Sequence, residues 1–163
     1  MGSPENYLLG GPEVACPFFM PIEKLEGGWM HAHRLPLGCG WSGSCTAPGH
    51  EGETPADDEL RDLCNLGYAA RCGRLPPDRE WDSVRFGAKA ARTQEDGGAN
   101  CIQIRYVCER GHRPAEHGVL EFQVAAATWK QTHRDLRLQR MAECYLESWM
   151  ENKRLKLVAA VAS

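Results

Sequence analysis

The sequence predicts an α+β protein: a loop-rich, cysteine-bearing lobe over residues 1–80, then a three-stranded antiparallel meander packed by a C-terminal helix over residues 81–163. Three observations predict it. Gly and Pro punctuate the first half too often for long regular elements, as in Gly10-Gly11-Pro12, Gly27-Gly28, Pro36-Leu37-Gly38 and Pro48-Gly49. After Pro76-Pro77, three segments alternate apolar and polar residues with period two. Beyond them an apolar stripe repeats at helical spacing.

In the first lobe the helix signal is Thr54-Pro55-Ala56-Asp57, a capping Thr followed by Pro and acids in the first turn. Leu60, Leu63, Cys64 and Gly67 then share one helical face, which turns Cys64 inward. The strand segments are Val84, Phe86 and Ala88, then Ile102, Ile104, Tyr106 and Cys108, then Leu120, Phe122, Val124 and Ala126. Polar residues such as Gln103 and Arg105 lie between, as half-buried antiparallel strands require. Glu95-Asp96-Gly97-Gly98 joins the first two strands, and residues 110–117 join the second and third. The helix is expected over about 134–154, covering the sheet with Leu138, Met141, Ala142, Tyr145 and Trp149.

At 163 residues, with 42% hydrophobic and 25% charged residues, the chain is long enough for one sizeable core and is neither disordered nor collagen-like. The longest apolar run, at 157–162, is too short for a bilayer, so no membrane association is expected. Met1 to Asn6 carry neither a signal-peptide nor a myristoylation pattern, and a cytoplasmic location is expected. Net charge is -3, with 6 Lys and Arg against 12 Asp and Glu in residues 1–80 and 13 against 10 in 81–163. No basic run or basic-aromatic stripe accompanies the second half, so nucleic-acid binding is not expected.

The chemistry lies in the cysteines. A free cysteine is ordinarily a small buried hydrophobe, and Cys108 on the apolar strand face and Cys144 beside the helix stripe fit that role. Cys101 precedes the strand core with opposite parity and is expected to be uninvolved. Cys16, Cys45, Cys64 and Cys72 differ, because each sits in a Gly/Pro/aromatic loop or near the end of a short helix. In a reducing compartment such a set points to a metal rather than to disulfides. Structural zinc sites usually draw on C-x2-4-C pairs, which these four do not form. A four-iron cube takes one thiolate per corner and accepts ligands from separate loops. Cys16 is followed by Pro17, as some ferredoxin cysteines are. Such a cube with four thiolates carries about two negative charges by formal counting, which Arg71, Arg74 and His50 are near enough in sequence to screen.

The phrases Cys16-Pro17-Phe18-Phe19, His33 to Gly38, W-S-G-x-C ending at Cys45, and C-N-L-G-Y-A-x-x-C-x-R-x-P from Cys64 to Pro76 resemble a group of uncharacterised bacterial proteins sharing a four-cysteine iron–sulfur motif. The resemblance covers about residues 15–76. It implies Cys16, Cys45, Cys64 and Cys72 as ligands of a 4Fe-4S cluster and brings no established activity. Cys39, in Gly38-Cys39-Gly40, falls outside the motif, and it or a His among His31, His33 and His50 is the alternative ligand.

Other patterns lack their context. Gly38 to Gly43 matches G-x-G-x-x-G without a strand before it or a helix after it. Gly40 to Ser44 misses the last position of a nucleophile elbow, and His112 to His117 has one residue too many for an inverted zincin and a Pro114 within it. A Cys-His hydrolase built on Cys39 or Cys45 has no spacing that specifies its geometry. The expectation is an iron–sulfur protein for electron transfer or redox sensing, not a free-standing enzyme, acting with an unknown protein or redox partner. The alternative is a zinc-stabilised interaction module.

Overall fold

A computed structural model describes residues 8–9, 14–26, 29, 32–67, 72–93 and 99–162; the side chains of 8, 9, 33, 93, 99 and 155–162 are not described. The chain is α+β. Its larger sheet is antiparallel and five-stranded, in the order β1-β4-β5-β6-β7. Those strands are β1 (Leu8–Leu9), β4 (Ser83–Thr93), β5 (Ala99–Arg110), β6 (Arg113–Gln123) and β7 (Thr128–Gln131). A second, two-stranded sheet pairs β2 (Phe19–Lys24) with β3 (Trp41–Cys45). The helices are α1 (Asp57–Glu59), which runs into a π-helical turn over Leu60–Asn65, and α2 (Leu136–Ala162). Among the described residues no helix is long and apolar enough to cross a membrane.

The period-two residues do line one face of the sheet. Val84, Phe86, Ala88, Ile102, Ile104, Tyr106, Cys108 and Leu120 are all buried. Two expectations about strand ends are corrected. The β5–β6 connection is not residues 110–117 but a two-residue turn, Gly111-His112, with φ of 59° and 63°. Positive φ at both central residues is the hairpin turn whose twist matches that of the flanking strands. Pro114 to His117 thus belong to β6, and a register shift beside Glu109 absorbs the odd residue. The third strand stops at Gln123 rather than continuing to Ala126. The chain reverses there, with the Ala127 N–H bonded to the Val124 carbonyl at 3.2 Å and Ala127 at φ 53°. The returning β7 sets Trp129 edge-on to Phe122, ring centroids 5.3 Å apart. A three-stranded meander is therefore the centre of a wider sheet, extended by β7 on one side and β1 on the other. The Glu95 to Gly98 connection lies outside the described residues.

α2 begins where Asp135 caps it, its carboxylate accepting the Arg137 N–H at 2.9 Å. Leu138, Met141, Ala142 and Tyr145 are buried as expected and Trp149 half-buried, but the buried face also takes in Cys144, Leu146 and Ser148. The helix packs against β4 and β5 of the large sheet and against β2 of the small one. Phe86 stacks on Tyr145 with centroids 5.8 Å apart. One hydrophobic cluster runs through Phe19, Leu37, Trp41 and Leu60 into Phe86, Ile104, Leu138 and Met141. The segments on either side of residue 80 share a core.

The first half is less loop-like than its glycines and prolines suggest. Along β3, Trp41, Gly43 and Cys45 are buried and the two serines half-buried. Gly43 is required by packing, because a Cβ there would lie 2.2 Å from the Met20 carbonyl oxygen. The helix start is also corrected. Ala56, not Thr54, occupies the capping position, and the Glu59 carboxylate reaches back to accept the Ala56 N–H at 3.1 Å. Thr54 stands two residues too early, before a Pro55 that is itself buried.

Candidate metal centre

Four chain segments bring one cysteine each to a common cavity. Cys16 follows Ala15, whose N–H and C=O pair with Val84 at 2.8 and 2.9 Å and so fix the segment to the large sheet. Cys45 ends β3 opposite Phe19, and its N–H donates to the Glu53 carbonyl at 2.9 Å, closing the loop that follows. Cys64 lies in the π-helical turn, and its carbonyl accepts the Cys16 N–H at 3.0 Å. Cys72 starts a tight turn in which the Leu75 N–H approaches its carbonyl at 3.4 Å. The four sulfurs line one cavity with Phe19, Pro55, Leu63, Leu75 and Arg74.

Its free volume is about 10 Å³, roughly room for one water. The donor set suits a soft, thiophilic group: four thiols, apolar walls, and no disulfide among the described cysteines. Among the described residues, no three His, Cys, Asp or Glu side chains are gathered closely enough to hold a metal ion.

The electrostatics couple the thiols. Burial pushes Cys16 and Cys64 up to about 12, and each is raised further by neighbouring cysteines, Cys16 by Cys45 and Cys72, and Cys64 by Cys16, Cys72 and Cys45. Cys16 and Cys64 stay protonated until a cation is there to take the charge. The backbone N–H groups of Phe18 and Phe19 partly offset the rise at Cys16, and the Phe19 N–H donates to the Cys16 carbonyl at 3.2 Å. The Ala47 N–H lies 3.4 Å from Cys45 Sγ, and Cys72 is close enough to the Arg74 guanidinium to help raise its pKa.

Asn65, beside Cys64, holds the arrangement together and went unremarked in the sequence. It is fully buried; its Oδ1 accepts the Trp41 N–H at 2.9 Å, and its Nδ2 donates to the Trp41 and Leu60 carbonyls, each at 2.9 Å. The side chain thus ties the turn carrying Cys64 to the strand carrying Cys45. Gly67 ends that turn at φ +102°, where a Cβ would meet the Asp62 carbonyl oxygen at 2.3 Å. Its N–H bonds the Val14 carbonyl at 2.9 Å, returning the chain to the Cys16 segment. An Asn between a ligand-like Cys and a Gly is a usable signal only once both neighbours have been placed.

The remaining cysteines lie elsewhere. Cys39 packs on α2, its sulfur 3.1 Å from Ser148 Oγ, and does not line the cavity. Gly38 beside it, at φ +80°, would place a Cβ 2.5 Å from the Ser148 Cβ, so this glycine serves close helix packing. Cys108 and Cys144 belong to the core, and Cys101 is buried on β5 near Glu121. Of the candidate histidines, His50 pairs with Glu53. His31, the side chain of His33, and Arg71 lie outside the described residues.

The chain matches no protein-family model, no curated protein and no solved structure.

Proposed function

We propose that this protein binds an iron–sulfur cluster of the 4Fe-4S type through Cys16, Cys45, Cys64 and Cys72, and that it serves electron transfer or redox sensing with a protein partner. The observation that carries the reading is the meeting of four thiols, from four separate segments, in one apolar-walled cavity. Such a cluster supplies a one-electron couple. The chain contributes the rest: four sulfurs to hold it, Phe19, Pro55, Leu63 and Leu75 to exclude water, and the Ala47 N–H to carry charge off Cys45. Hydrogen bonds to sulfur and exclusion of solvent are two of the main means by which a protein sets such a potential. Free thiols throughout the described residues suit the cytoplasm, where we place the protein.

A second reading is a structural zinc site that staples the loops. One observation favours it: a free volume of about 10 Å³ is closer to one ion than to a cube. The spacing of the four cysteines, without a C-x2-4-C pair, favours the cluster. Metal and acid-labile sulfide analysis of protein purified without oxygen separates the two. The cluster reading expects brown protein with about four iron and four sulfide per chain; colourless protein with one zinc would replace it with the staple.

A further inference from the structure

We propose that Arg74 is the latch of the thiol cavity: its guanidinium fastens the segment carrying Cys72 to those carrying Cys45 and Cys64, and so sets how readily the cavity opens to admit or release its cofactor. Arg74 Nη1 donates to Glu59 Oε2 at 2.8 Å and Nη2 to Glu59 Oε1 at 3.4 Å, while Nε donates to Glu53 Oε1 at 3.3 Å. Cys72 is close enough to the same group to help raise the Arg74 pKa. Glu59 ends α1 just before the turn that bears Cys64, and the Glu53 carbonyl accepts the Cys45 N–H. One cation therefore spans three of the four ligand segments. A planar fork of five donors reaches partners spread around its edge, whereas the three donors of an ammonium all leave one nitrogen.

The latch matters because of where the cavity can yield. Cys16 and Phe19 are anchored in the core, Cys45 ends a paired strand, and Cys64 is held by the Asn65 bonds. Cys72, Arg74 and Leu75 are only half-buried. The cavity is narrow, with about 10 Å³ free, and the half-buried side formed by Cys72 and Leu75 is the one that Arg74 pins. The proposal rests on reading the cavity as a cofactor site, although the fastening does not depend on which cofactor that is.

The test uses full-length, reduced, cofactor-free protein as wild type, Arg74→Gln and Arg74→Lys, with each cysteine's labelling by iodoacetamide followed by mass spectrometry. The latch predicts that Arg74→Gln speeds labelling of Cys64 and Cys72 on the order of tenfold, the scale of several cooperating ion pairs, with Lys in between and Cys108 and Cys144 unchanged. Added salt should speed Cys72 in wild type and not in Arg74→Gln. Unchanged rates at Cys64 and Cys72, or an equal rise at Cys108 and Cys144, would overturn it. In anaerobically loaded protein, Arg74→Gln should also lose iron to a chelator faster than wild type. A wild type that takes up no cofactor would end the reading of the cavity, while the labelling rates would still decide the latch.

Discussion

Cys16 and Cys64 in the first half, and Cys108 and Cys144 in the second, are all shielded from water, and burial raises the pKa of all four. Their company differs. Cys16 and Cys64 line one cavity with two further cysteines, and both are raised by neighbouring thiols. Cys108 and Cys144 fill space in the core where α2 meets the large sheet. Burial alone therefore does not tell the two pairs apart; the other sulfurs around them do. The scaffolds differ as well. The second half stands on β4, β5 and β6, each of eleven or twelve residues. The first stands on strands of six and five residues, a helix of three, and the hydrogen bonds of one asparagine.

The largest expected effect is that of Cys64→Ala. In small metal-organised folds the binding free energy, on the order of 10 kcal/mol for structural zinc, is largely folding free energy. The variant should lose its cofactor, and limited proteolysis should cut within residues 14–67 while leaving 99–150 intact. Cys39→Ala, which removes a sulfur packed on Ser148, should do neither. Equal cleavage of both regions in Cys64→Ala would erase the distinction between them.

Asn65→Ala comes next. It leaves the Trp41 N–H and two carbonyls without their buried partner, at about 3 kcal/mol, read as a lower midpoint in urea unfolding of the cofactor-free protein. A change below 1 kcal/mol would show that the turn is held by something else. Smallest are Cys108→Ala and Cys144→Ala, each about 1 kcal/mol for a small buried group, with metal content untouched. Metal lost from either would place a ligand in the wrong half.

The second half was largely legible because its residues obey a period. Alternation over Ile102 to Cys108 and the stripe from Leu138 to Tyr145 each extend far enough to be read. The Gly111-His112 turn escaped because Pro114 suggested a loop, when a register shift lets it sit within β6. β7 is four residues, too short for a period to show. In the first half, β3 reads Trp-Ser-Gly-Ser-Cys, an alternation whose buried positions include a glycine chosen for close approach and a cysteine facing the cavity, so hydrophobicity does not mark it. The π-helical turn likewise turns Cys64 and Asn65 inward together, which a 3.6-residue period does not anticipate. The cysteines brought to one cavity were legible as a set from the loops they occupy, whereas Asn65, and Arg74's hold on Glu53 and Glu59, arise from contacts between distant segments.

The most direct measurement of the central claim is iron and acid-labile sulfide per chain across eight single Cys→Ala variants prepared without oxygen. The account predicts full iron in the variants at Cys39, Cys101, Cys108 and Cys144, and its loss in those at Cys16, Cys45, Cys64 and Cys72. Retention of the full complement by Cys64→Ala, or its loss from Cys39→Ala, would contradict it.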